Sequence, residues 1–248
     1  YNLKDAQIED FGEISLRGHL ISDEKEAQAE LSLNGEVQKL AGWPNGEYTG
    51  LIKPIDSNEY GKRTKSGIAN GCSFKVNYDR PSQWSKPEQA WLSGTIGPNY
   101  EFDYYPVSRF DSKEKRVYLS RGALEKYYTE PYYRFENVPE ELDEPGEYYI
   151  DRQSGMLYFY PPEDAPKDSV LTITMSTPTL DVSRKAPNSM FRIENSKNIV
   201  FENLIFKGGR GSAITGKNNS NIKFINCEIN SFGENGIRFD AFNRYNNQ

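Results

Sequence analysis

The sequence predicts an all-β chain in two parts: a β-sandwich-like domain over residues 1–185, then coils of a parallel β-helix over 186–248. Three observations carry this reading. Short β-type runs punctuated by Gly, Pro, Asn and Asp fill most of the chain. The last quarter repeats itself every 23 residues, and a period of that size marks a repeat architecture. Asparagine occurs 21 times, and 12 of these fall at or after Asn195, inside the repeat.

The elements follow in order. Ser22–Glu30 has helix-forming composition without an apolar stripe, and predicts a solvated loop or short helix. Leu31-Ser32-Leu33 followed by Asn34-Gly35 predicts a strand entering a type I′ turn, because Asn-Gly tolerates positive φ at both central positions. Gly122–Tyr128 could make two helical turns. Glu147–Ile150 and Met156–Tyr160 read as a hairpin closed by Asp151–Gly155 and stopped by Pro161-Pro162. Val170–Met175 and Thr179–Val182 are further strands.

In the last quarter, Ile199–Phe206 aligns with Ile222–Ile229, an offset of 23. The same offset carries Phe191 to Ile214 and Ile237, Ile193 to Gly216 and Phe239, Asn195 to Asn218, and Asn203 to Asn226. Ile199 and Phe201 alternate as a strand, the phase slips at Asn203, and Leu204 and Phe206 resume. Ile222, Phe224, Cys227 and Ile229 do the same around Asn226. A one-residue slip at Asn suits a sharp left-handed corner, which Asn tolerates better than most residues. Stacked corners would set Asn203 beside Asn226 in an amide ladder. These short strands and tight corners describe a parallel β-helix; the L-x-x-L-x-L spacing of a leucine-rich repeat is missing. The third coil, from Gly236, reaches Gln248 before its second strand, and the chain starts without Met. A longer polypeptide supplying further coils is therefore expected, with those coils as partners.

Composition narrows the chemistry. With 36 acidic and 30 basic residues, a net charge of −6 and a pI near 5.1, the chain lacks the basic character that nucleic-acid binding demands. His19 is the only histidine, so neither His-centred catalysis nor a metal site is expected, and no cofactor is called for. No apolar run approaches the roughly 18 residues of a membrane span. The 13% aromatic content points to a folded chain with a Tyr- and Phe-built core. Cys72 and Cys227 are expected to be two buried free thiols rather than a bridge.

Several segments resemble a known group. Glu13-Ile-Ser-Leu-Arg-Gly18 after Asp10-Phe11-Gly12 is similar to the opening of a β domain inserted into carbohydrate-active β-helix proteins. Ala29–Gly35 with Leu40-Ala-Gly-Trp-Pro-Asn45 is similar to that group's xLxVNGxxxxLARWPN signature, with Gly42 in place of Arg. Trp91–Ile96 resembles its Trp-Leu-x-Gly-x-Trp segment, with Ile96 replacing the last aromatic, and Asn137–Pro162 is the nearest stretch. The chain thus resembles right-handed parallel β-helix glycoside hydrolases acting on plant cell-wall glycans, such as glycoside hydrolase family 141. The resemblance implies a secreted, extracellular protein with a polysaccharide or oligosaccharide partner. It also implies that residues 1–185 are the inserted domain, and that the catalytic carboxylates lie on later coils.

Glycosidases need two carboxylates, about 5–5.5 Å apart for retention or about 6.5–9.5 Å for inversion. On the coils, Glu194, Glu234 and Asp240 are the candidates. Glu194, Lys217 and Asp240 share one rung position, and such an alternating file also reads as a solvated surface ladder. Glu234 lies in the Gly233–Gly236 turn. A polysaccharide lyase would instead recruit Lys217 and Arg238. For sugar contact the candidates are Trp84, Trp91, Tyr100, Glu101, Asp103, Tyr104 and Tyr105: aromatic rings stack on sugar C–H faces and carboxylates accept hydroxyl hydrogens. The competing reading of these residues is domain core. Three functions stay open: a glycan-degrading enzyme, a non-catalytic glycan-binding or sensing module, and a structural or adhesive segment.

Overall fold

The computed structural model describes residues 1–16, 27–46, 48–50, 71–97, 100, 102–122, 132–174 and 189–240. Among them there is no α-helix, so none long and apolar enough to cross a membrane. The class is all-β, as expected. His19 and the strand expected at Thr179–Val182 lie outside the described residues, as do most of Ser22–Glu30 and Gly122–Tyr128.

The strands before the repeat are β1 (Leu31–Leu33), β2 (Glu36–Val37), β3 (Lys39–Leu40), β4 (Gly42–Trp43), β5 (Thr49–Gly50), β6 (Cys72–Lys75), β7 (Trp91–Thr95), β8 (Asp103–Asp111), β9 (Arg116–Leu119), β10 (Tyr132–Glu136), β11 (Glu147–Asp151), β12 (Met156–Phe159) and β13 (Leu171–Ile173). The repeat supplies β14 (Ser189–Glu194), β15 (Lys197–Glu202), β16 (Ile205–Gly209), β17 (Ser212–Lys217), β18 (Ser220–Ile225), β19 (Glu228–Phe232) and β20 (Ile237–Asp240).

The chain forms two compact units. One holds the described residues of Tyr1–Ala6, Ser15–Lys25 and Gln38–Asp168; the other holds those of Gln7–Ile14, Glu26–Val37 and Ser169–Gln248. β1 pairs antiparallel with β13, Leu31 opposite Ile173, and both strands fall in the second unit with the repeat.

The first unit is built on a seven-stranded sheet in the order β4-β10-β7-β8-β9-β6, with β5 also on β10. Its pairings are antiparallel, and one face is apolar. Leu92, Tyr105, Val107, Tyr133 and Phe135 point into a core with Phe74, Trp84 and Ile96. Period-two alternation forces this, since successive side chains leave opposite faces. Gly42 packs so tightly on β10 that a Cβ there would collide with the Phe135 carbonyl oxygen. The hairpin β11–β12 forms as expected, with Tyr149 opposite Tyr158.

In the second unit each 23-residue repeat contributes three strands, and every strand pairs in parallel with its counterpart one repeat later. Ile199 sits opposite Ile222, Phe201 opposite Phe224, and Phe206 opposite Ile229. On the third face Phe191, Ile214 and Ile237 form one file. The Phe201 and Phe224 rings stack at 5.0 Å and 9°. Ile193, Phe206, Ala213 and Ile214 are buried, with Ile199, Phe201, Ile222, Phe224, Cys227 and Ile229 packed against them. Leu204, expected inward, is exposed at the corner between β15 and β16. Both cysteines are free thiols, Cys72 buried as expected and Cys227 only half-buried.

The corners are set by asparagine. Asn195, Asn198, Asn203, Asn218, Asn221 and Asn226 all have φ between 49° and 59°. Their amides form three ladders one repeat apart: Asn218 donates to Asn195 (3.2 Å), Asn221 to Asn198 (2.6 Å) and Asn226 to Asn203 (2.6 Å). The 203–226 ladder matches the sequence expectation.

Candidate functional site

Three of the residues expected to contact sugar are interior. Trp84 is buried, with its ring edge-on to Phe135, and its indole N–H donates to Glu141, which the Arg80 guanidinium also grips at 2.7–3.0 Å. Asp103 and Arg121 form a buried ion pair at 2.6 Å, and Arg121 lies over the Tyr105 ring at 5.4 Å. The cause is register. Gly94–Asp103 and Leu92–Tyr105 are cross-strand pairs on the core face, whereas Trp91–Pro106 and Ser93–Tyr104 are pairs on the other face. Trp91 and Tyr104 are half-buried there, Tyr100 is exposed, and Glu101 lies outside the described residues.

On the coils, Glu194 is paired with Arg192 at 2.7 Å, and register sets Glu194, Lys217 and Asp240 in one file, as expected. The Asp240 side chain lies outside the described residues. Glu234 accepts a hydrogen bond from the Ser212 hydroxyl at 3.0 Å. Among the described residues no group of three His, Cys, Asp or Glu is placed to hold a metal ion.

What the structure brings together instead is the second face of the seven-stranded sheet. Tyr132, Arg134 and Glu136 alternate along β10, opposite Thr95, Ser93 and Trp91 of β7; Tyr104 of β8 lies opposite Ser93. Tyr48 joins them. Its ring lies 5.6 Å from Tyr132 and 5.9 Å from Phe102, both edge-on, and Phe102 lies 6.4 Å from Tyr104. Tyr48, Phe102 and Tyr132 are 40%, 41% and 43% exposed, so three rings of this linked set present apolar surface to water, with Tyr104 half-buried beside them.

Among the described residues one carboxyl, that of Glu136, serves this face. Glu136 Oε1 accepts from the Ser93 hydroxyl at 2.7 Å. Part of its residue surface reaches water, yet the carboxyl itself is closely surrounded. Burial pushes its pKa up, against the lowering effects of Ser93 and the Arg134 charge. Burial also raises the Tyr48 phenol, reinforced by the Glu136 charge. Arg134 donates to the carbonyls of Pro44 (3.1 Å), Leu40 (3.0 Å) and Gly42 (3.2 Å) and pairs with Glu147 at 2.9 Å. Such a face can stack a ring and accept a hydroxyl hydrogen.

Tyr48, Phe102, Tyr132, Ser93 and Glu136 were not singled out from sequence. The available signal was the alternation in Tyr132-Tyr-Arg-Phe-Glu136, where aromatic, cationic and acidic side chains fall on one side and Tyr133 and Phe135 on the other.

No protein-family model matches the chain, and no curated protein is detectably similar to it. A solved structure described as "Glycoside hydrolase" is similar in fold, with a TM-score of 0.57 and 12% sequence identity. The match covers 84% of this chain and 43% of that one, so the chain spans less than half its length. At this identity the likeness speaks for the fold.

Proposed function

We propose that this chain is part of a secreted, extracellular carbohydrate-active protein, a glycoside hydrolase acting on plant cell-wall polysaccharide, and that it touches the glycan through the Tyr48–Phe102–Tyr104–Tyr132 face. The observation that carries this is the exposed, linked aromatic cluster beside the Ser93–Glu136 pair. Aromatic faces attract the C–H groups of a sugar ring, and a hydroxyl–carboxyl pair offers acceptors for its O–H groups. The glycoside hydrolase named among solved structures supports the class.

In the same reading the 23-residue repeat begins a right-handed parallel β-helix of the kind found in glycoside hydrolase family 141 and its relatives, with the first unit as its inserted domain. Parallel pairing at a constant offset and the asparagine ladders support it. The hydrolytic carboxylates then lie on coils outside residues 1–248. A non-catalytic glycan-binding module is the second reading. It is favoured by the aromatic face carrying one carboxyl among the described residues, where hydrolysis needs two.

Titration with soluble xylan and pectin fragments tests the contact. A ring platform with a few hydroxyl hydrogen bonds supports a Kd of roughly 0.1–1 mM, about 4–5.5 kcal/mol. Phe102→Ala and Tyr132→Ala should each weaken binding, and the chain alone should release no reducing ends. Unchanged affinity in both variants would refute the assignment of this face. Turnover by residues 1–248 would return attention to Glu194, Glu234 and Asp240.

A further inference from the structure

Resting on the glycan-contact reading, we infer that this face selects a neutral sugar over an acidic one, and that Glu136 is the residue that sets the choice. The electrostatics of the described face are one-sided. Aromatic rings carry their negative charge on the ring faces, which attract C–H groups and repel anions. Glu136 adds a carboxyl, one of whose oxygens is held by Ser93 while Oε2 takes no hydrogen bond among the described residues.

Arg134, the described cation on this face, acts on Glu136 against the larger effect of burial and is itself ion-paired with Glu147. Arg134 gives four of its five N–H donors to three backbone carbonyls and Glu147. Arg121 belongs to the opposite face, buried with Asp103. A neutral ring therefore stacks on Tyr48, Phe102 or Tyr132 and donates a hydroxyl to Glu136. A uronic acid brings a carboxylate to the same place and meets on this face no described cation outside an ion pair.

The groups facing Glu136 are Tyr132 and Arg134 on its own strand, Trp91 and Ser93 on β7, and Tyr48. Burial pushes the Tyr48 phenol up, away from this range, so Glu136 is the group whose charge the test follows. The preference for neutral sugar therefore grows as pH rises and Glu136 loses its proton.

The test compares neutral xylo-, cello- and manno-oligosaccharides with oligogalacturonate, by calorimetry, from pH 5 to 8.5 at low salt. At pH 8.5 the parent chain should bind at least one neutral series roughly tenfold more tightly than oligogalacturonate. Glu136→Gln keeps the shape and an acceptor but removes the charge. The ratio of neutral to acidic affinity should fall below about threefold in this variant and lose its dependence on pH. If that variant fails to fold, the parent's own series decides, since the preference must shrink at pH 5 and in about 0.5 M salt. Oligogalacturonate binding as tightly as the neutral series at pH 8.5 overturns the inference and leaves the glycan reading standing. Binding of none of these sugars overturns the glycan reading itself.

Discussion

Removing the Asp103 carboxylate tests whether the residues between Trp84 and Tyr105 are scaffold or contact. Both partners of the Asp103–Arg121 pair are buried, with nitrogen and oxygen 2.6 Å apart. With charge centres about 4 Å apart, an effective dielectric constant near 20 gives about 4 kcal/mol of attraction. Desolvation of two ions offsets much of that in the intact pair. Asp103→Ala, however, removes the buried carboxylate that pairs with the Arg121 charge, and such a loss costs about 3–5 kcal/mol. Urea denaturation followed by tyrosine and tryptophan fluorescence reads this directly. The double variant Asp103→Leu with Arg121→Met removes both ions and should regain stability to within about 1 kcal/mol of the parent. Variants that remain folded should keep the parent's glycan affinity, because neither side chain reaches the aromatic face. A loss below about 1 kcal/mol for Asp103→Ala, or a double variant no better than the single one, would refute the buried-pair argument.

Two further outcomes are expected. Asn203→Ala must hold φ near 55° without the amide that receives Asn226, and should cost about 1–2 kcal/mol, whereas Asn203→Gly keeps the backbone free and should cost less; equal losses in urea melts would contradict the left-handed corner as the cause. The Glu136 carboxyl has its pKa raised above 4.5 by burial, so the folded state holds its proton more tightly than the unfolded chain. Its contribution is full below about 4.5 and is lost as pH rises through the folded pKa, so Glu136→Gln should gain stability relative to the parent over that rise; a pH-independent difference between the two would be the contrary result.

The repeat was the legible part of the fold because its signal is redundant. Most inward positions recur 23 residues later, and the Asn corners mark where the phase slips, so the pairing of Phe201 with Phe224 and of Asn203 with Asn226 followed from alignment alone. A second ladder, Asn198–Asn221, lay in the same alignment. What alignment could not give was the grouping of Leu31–Leu33 with Leu171–Ile173. That pairing spans about 140 residues and leaves no periodic trace. Gly42 is a similar case: its lack of a side chain looks like a departure from a signature until the Phe135 carbonyl is seen pressed against it.

The site was legible as a region and not as a face. Aromatic crowding drew attention to Trp84–Tyr105, but crowding says nothing about which side of a strand a ring leaves. Tyr104 and Tyr105 are neighbours in sequence and opposites in space. One joins Phe102 at the surface, and the other lies under Arg121 in the core. Deciding between them required the register of β8 on β7, and that register is fixed by which face is apolar on both strands together. Once Leu92 and Tyr105 are committed inward, Ser93 must face outward, and β10 must then deliver Tyr132, Arg134 and Glu136 to the same side. The aromatic face with the Glu136 carboxyl is thus a consequence of burying the core, and its chemistry is what the pleat leaves over.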